Sequence, residues 1–214
     1  MTVTLRMVLL GTLLVNLLGT AAAAENDPHL NVIVRFSADL PPGLVADAEK
    51  STTRVFDKAG VTAQWLNCPA RAGEFVDANC DVPPAPTDLV LHIVPSSQRS
   101  SDAVFGVAFV TGSAGAYADI FFDRVQRVHD QDRNISIAAL LGSVFAHEIG
   151  HLLLGEHSHS RDGLMVGQWR PDQLNKIGKG NLFFDSRDAK RLRVRAAELS
   201  TAQTLAMTAS ESGN

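Results

Sequence analysis

The stretch Ala146-His147-Glu148-Ile149-Gly150-His151-Leu152-Leu153-Leu154-Gly155-Glu156-His157-Ser158-His159 constrains this chain more than any other. It contains His-Glu-x-x-His. On an α-helix of ~3.6 residues per turn, residues four apart lie about one turn apart on one face. His147 and His151 can therefore turn both imidazoles toward one metal ion. Neutral imidazole nitrogen suits Zn²⁺, and three protein ligands with one open position is the arrangement of catalytic zinc. Glu148 can reach a water in that open position and take its proton. Four of the seven histidines fall within residues 147–159, which separates this match from an isolated His-Glu-x-x-His. The alternative is an ordinary helix carrying two histidines.

The surroundings of the motif are apolar. Asn134 is placed to cap a helix over residues 135–154. Leu140, Val144, His147, His151 and Leu154 share one stripe, and Leu141, Phe145 and Leu152 cover the neighbouring faces. A helix apolar on most sides is a buried one, and burial would hold the two rings rigidly. Gly155 ends the helix, glycine being the residue that takes a left-handed cap at low cost.

The N-terminus reads as a secretory signal over residues 1–24. Arg6 gives the positive end, residues 7–18 the apolar core, and Ala22-Ala23-Ala24 a small-residue cleavage site before Glu25. The apolar core is short for a membrane span, so no stable membrane association is expected after cleavage, and the protein is expected to be secreted or periplasmic. An uncleaved anchor is the alternative. The mature chain of about 190 residues fits one domain with a sizeable core. Loss of Arg6 moves the formal charge from −4 to −5, and no basic field exists to attract nucleic acid. The run 187–195 is locally basic and reads as a solvated helix face. Cys68 and Cys80 are the only cysteines; in an exported chain they are expected to form a disulfide, stiffening the irregular segment between them by ~3 kcal/mol. A thiolate that inhibits the metal is the other role a cysteine could take.

Taken in order, residues 30–36 read as a strand, 44–59 as a helix ending at Gly60, and 61–66 as a second strand. Residues 67–87 are loop. Strands follow at 89–94, 104–110 and 118–123, with a turn at 111–115. His92, in the third strand, is expected to be structural. Asp119 and Asp123 could bind a cation, although strand-end solvation and turn capping explain them as well. After the motif, 156–170 is loop, and Gly163-Leu164-Met165 is a turn with an isolated methionine. Asp185 or Ser186 would cap a last helix to about Leu199, followed by a flexible tail over 200–214.

The segment from His147 to Met165 resembles the metzincin zinc peptidases, most closely the matrixin branch. Those carry His-Glu-x-x-His-x-x-Gly-x-x-His followed by a methionine turn beneath the metal. Gly106-Val107-Ala108-Phe109 and Ala118-Asp119-Ile120-Phe121-Phe122-Asp123 resemble the matrixin edge strand and the strand before the active helix. The resemblance implies an α+β fold: a mixed five-stranded sheet packed on two helices, a methionine turn and a C-terminal helix, with residues 25–199 as the catalytic domain. It also implies that Met165 forms an apolar floor under the site. Matrixin spacing selects His157 as third ligand. The family's glycine position holds Leu154 here, with the glycine displaced to Gly155. The chain is also similar to a group of secreted bacterial proteins reading His-Glu-Ile-Gly-His-Leu-Leu-Leu-Gly, then His-Ser, then Gly-x-Met; that pattern selects His159. In an extended stretch both rings point to one side, so the two remain alternatives. No matrixin-type inhibitory cysteine segment is visible.

The function these features imply is a secreted zinc-dependent endopeptidase acting on polypeptide. His147, His151 and His159 or His157 would hold one Zn²⁺, with Glu148 as general base. Residues 166–184 would form one wall, where Trp169 or Phe183 could line a pocket or pack in the core. The alternative is an inactive or structural-metal binding module of the same fold.

Overall fold

The computed structural model describes residues 27–37, 39–71, 74–75, 77–96 and 103–211. The expected signal segment 1–24 and residues 212–214 lie outside the described residues. The elements are β1 (His29–Ser37), α1 (Leu44–Ala59), β2 (Thr62–Arg71), β3 (Glu74–Phe75), β4 (Leu89–Val94), β5 (Gly106–Thr111), β6 (Ala114–Phe121), α2 (Phe122–Gln131), α3 (Ile137–Leu154), α4 (Pro171–Gly178) and α5 (Ser186–Glu211).

The sheet order is β3-β2-β1-β4-β6-β5. The five strands expected from sequence form its body, and the two-residue β3 adds an outer edge. β1 lies parallel to β2 and β4, and β4 parallel to β6, while β3 and β5 run antiparallel at the two edges. The β1–β2 pair needs a crossover, which α1 supplies. One face of the sheet, with Leu30, Val32, Val34, Leu91, Ile93, Ala118 and Ile120, packs in one core with α1 and α3. The expected α+β architecture is the one observed.

α3 is the centre of that core. Leu140, Leu141, Phe145, Ala146 and Ile149 are fully buried. Its composition would let it cross a bilayer, yet 78% of it is buried inside the protein, so its apolarity serves the core. Its N-cap is Ser136, two residues beyond the expected Asn134. Ser136 Oγ accepts from Ala139 N at 3.4 Å, whereas Asn134 donates its own N–H to Asp132 at 3.0 Å. Arg191 from α5 donates to Leu154 O at 3.2 Å, satisfying a carbonyl at the far end of α3.

Several elements depart from the sequence reading. The fifth strand stops at Phe121, and Phe122 opens α2, a short polar helix anchored by buried Val125. α4, with Pro171 in its first turn, begins just past the loop expected over 156–170, in a segment to which the sequence reading assigns no element. α5 runs to Glu211, past the expected end at Leu199. Its hydroxyls turn back on the helix, Ser200 to Ala196 O at 2.8 Å and Thr204 to Ser200 O at 3.0 Å, and His29 N donates to Ser200 Oγ at 2.8 Å. Residues expected as tail are thus tied to β1. Asp185 Oδ1 accepts from Asp188 N at 2.8 Å at the start of α5. Cys68 and Cys80 form the disulfide, with Cα atoms 5.6 Å apart. They pack with Ile33 and Val90 in a separate small cluster.

Candidate metal centre

α3 places His147 and His151 one turn apart, with ring centroids 4.7 Å apart and Nε2 atoms 3.0 Å apart. The chain after Gly155 returns His159 to the same point, its ring centroid 5.6 Å from that of His147 and 4.7 Å from that of His151. One nitrogen from each of the three lies within 4.8 Å of the others. His157 is not a member of this cluster. It takes φ +56°, the only non-glycine residue with positive φ among those described. The stretch is therefore not extended, and His157 and His159 are not held to one side as they would be in a strand.

Gly155 is where that return begins. Its φ of 84° and ψ of −168° differ from the left-handed cap expected. Glycine is nonetheless required, by the positive φ and by contact: a Cβ would lie 2.8 Å from Gly112 O. Glu156 N donates to Gly112 O at 3.0 Å and Gly112 N to Glu156 Oε1 at 3.2 Å. The loop is thus clasped to the β5–β6 turn. Further on, Ser160 N donates to Met165 O at 2.8 Å, and Ser160 Oγ bonds to the fully buried Asp188 of α5. His159 hangs between these anchors.

The ring nitrogens are oriented from behind. His147 Nδ1 lies 2.9 Å from Leu164 O. A carbonyl only accepts, so Nδ1 carries the proton and Nε2 faces the cluster bare. Trp169 Nε1 donates to the same carbonyl at 3.1 Å, and its ring stands edge-on to His147 at 5.6 Å. His151 Nδ1 lies 2.7 Å from Ser158 Oγ. Burial pushes His147 down to about 4, with the Leu164 carbonyl opposing and His159 adding to the shift. Burial, then His147 and His159, push His151 down to about 3. Burial lowers His159 as well. All three are neutral near pH 7, the state that can ligate a metal. Three nitrogens at 2.0–2.1 Å from a tetrahedral centre sit about 3.4 Å apart, so the donor set and its spacing fit one Zn²⁺. Among the described residues no other group of three His, Cys, Asp or Glu converges in this way.

Glu148 is 4% exposed and lines the same cavity, of about 400 Å³, as the three histidines. Burial pushes its carboxyl up to about 8, and a hydrogen bond from the backbone N–H of Ala108 pulls it part of the way back. A Cβ on Gly106 would lie 2.8 Å from Glu148 Cγ and Oε1. The edge strand β5 therefore both makes room for Glu148 and holds it. Met165 is fully buried, and its Sδ lies 2.5 Å from where a Gly150 Cβ would stand. Met165 thus packs directly against α3 between the two histidines. Val166, Gly167 and Trp169 line the cleft; Phe183 packs against the core.

The other candidates do not converge on a cation. Asp119 accepts from Tyr117 Oη at 2.7 Å and lies 3.3 Å from His92 Nδ1. Asp123 pairs with Arg124 at 3.3 Å and Arg127 at 3.7 Å. Sequence reasoning assigns no role at the site to Gly106, Ala108, Gly150, Ser158 or Asp188, although Gly106 and Ala108 fall in the stretch likened to an edge strand and Ser158 in the His-Ser pattern. Gly150 also stands out as a glycine inside a helix, where it costs about 1 kcal/mol relative to alanine.

No protein-family model matches the chain. No curated protein matches it either. Among solved structures, the chain is similar to an archaemetzincin from Methanopyrus kandleri, at 16% identity and a TM-score of 0.51, covering 78% of this chain and 96% of that one. This chain has a metzincin-like fold. A zinc-dependent peptidase from Methanocorpusculum labreanum is also similar, at 17% identity and a TM-score of 0.49, covering 75% of this chain and 99% of that one. In this fold the three-histidine cluster sits beside the C-terminal half of α3, in a cavity that β5 also lines.

Proposed function

We propose that this chain is an exported zinc-dependent endopeptidase in which His147, His151 and His159 hold the metal and Glu148 is the general base. The observation that carries this reading is that three protein ligands converge under an open cleft that also contains a buried carboxylate. A structural zinc site is closed by a fourth protein ligand. Here no fourth His, Cys, Asp or Glu joins the cluster among the described residues.

Zinc, when bound, would polarise a scissile carbonyl and acidify a water. The chain's own residues supply the remaining chemistry. Glu148 is held by Ala108 N–H in a site whose burial favours its neutral form. A divalent cation nearby favours the carboxylate. The carboxyl is thereby poised to take a proton from water and to deliver it to the departing amine. Among the described residues β5 has β6 on one side only, and its other edge can pair with an extended polypeptide. The apolar segment at the N-terminus and the Cys68–Cys80 disulfide support export.

Purified protein from residue 25 onward should cleave an unfolded polypeptide. A chelator should stop cleavage and zinc restore it, and Glu148→Gln should lower the rate at least about 100-fold. Zinc binding without turnover on a broad peptide library would overturn the peptidase reading and favour a binding module of the same fold.

A further inference from the structure

Ser158 is 4% exposed, and its Oγ lies 2.7 Å from His151 Nδ1. It differs in kind from the group behind His147. Leu164 O accepts only, so His147 keeps its proton on Nδ1 whatever happens at the cluster. His147 Nε2 is then a bare lone pair, 3.0 Å from His151 Nε2. Two bare lone pairs at that distance repel. Without a cation between them, the favourable arrangement puts the single proton of neutral His151 on Nε2, donating to His147 Nε2. His151 Nδ1 then needs a donor. With a cation bound, both Nε2 atoms must be bare. The His151 proton must then sit on Nδ1, which needs an acceptor. A hydroxyl serves both needs by rotating its hydrogen; a carbonyl, an amide N–H or an alanine methyl cannot.

We propose that Ser158 is a positioning residue whose hydroxyl reverses its hydrogen bond to His151 when the metal site fills, holding the ring in one place in both states. His151 stays neutral throughout. Its Nε2 proton leaves to solvent, Nδ1 gains one from solvent, and no net proton is released. The proposal rests on the reading that the three histidines bind a metal ion.

The test is the tautomer of His151, read from two-bond ¹H–¹⁵N correlations of the ¹⁵N-labelled protein in chelator and after addition of zinc. The expected result is an Nε2–H ring in chelator and an Nδ1–H ring with zinc. An Nδ1–H ring in both states overturns the proposal. Ser158→Ala should weaken zinc binding about 10–100-fold in competition with a chromogenic chelator, and Ser158→Thr, which keeps a hydroxyl, should stay close to wild type. An unchanged zinc affinity in Ser158→Ala also overturns the proposal. The tautomer measurement uses the wild-type protein and does not depend on either variant folding. If zinc alters no histidine ring of the wild type, the metal-site reading itself fails and the proposal falls with it, an outcome distinct from a ring that binds zinc without changing tautomer.

Discussion

Gly106→Ala separates the positioning of Glu148 from the metal site and from stability. A Cβ at residue 106 would stand 2.8 Å from Asp119 O on the neighbouring strand β6 and 2.8 Å from Glu148 Cγ and Oε1. The Asp119 carbonyl is backbone within the β5–β6 ladder, so relief there needs a small shift of β5, while the Glu148 side chain is displaced. Glycine in a strand costs roughly 0.5–1 kcal/mol relative to alanine. Overpacking costs typically 1–3 kcal/mol. The two partly offset, leaving a net loss of about 0–2.5 kcal/mol. At about 2–4 °C per kcal/mol for a chain of this size, the melting temperature should fall by no more than about 10 °C. The functional loss should be far larger, because a displacement of about 1 Å in a reacting group can cost ~100-fold in rate. Zinc affinity should be unchanged, since the three atoms nearest the added Cβ belong to Asp119 and Glu148 and not to a histidine. The assays are cleavage of a quenched fluorescent peptide, zinc competition and thermal unfolding on one preparation. Cleavage within threefold of wild type in a folded, zinc-loaded variant would refute the idea that the edge strand positions Glu148.

Other perturbations address the cluster and its frame. His159→Ala should abolish tight zinc binding while His157→Ala keeps it, as measured by metal analysis after dialysis; the reverse result would move the third ligand. In chelator-treated protein Glu148 titrates near 8 against 4.5 for the free side chain. The folded state therefore binds more protons than the unfolded state between those values, and stability falls as pH rises from about 4.5 to about 8. Denaturant titrations should show Glu148→Gln removing that slope. His147 and His151 act in the opposite sense: their folded values of about 4 and about 3 lie below 6.5, so stability present above 6.5 is lost as pH falls toward them. That loss should remain in Glu148→Gln. Reducing Cys68–Cys80 should cost roughly 3 kcal/mol, read as the difference between denaturant midpoints with and without reductant.

The periodic segments of the chain were legible in advance because their information is local. β4 spans the residues its β-branched run marks, α1 ends at the glycine that follows it, and α3 carries His147, Glu148 and His151 at the spacing the motif dictates. α2 and α4 were not legible. Each is short, at 10 and 8 residues, and mostly polar, and such helices are held by packing more than by propensity. The extension of α5 escaped for a related reason: it is tied to β1 by Ser200 and His29, residues 171 positions apart in sequence.

At the site, the sequence by itself determined which donors are available and put two of them on one face of a helix, because helical geometry depends only on spacing. It could not choose between His157 and His159. That choice depends on where the loop beyond Gly155 is clasped, on the Gly112 turn of another strand and on a buried aspartate in the last helix. Nor could it show that Ala108 N–H meets Glu148, or that Ser158 stands behind His151. Those contacts join residues from separate elements, and the direction in which each side chain points is fixed only when the elements pack together.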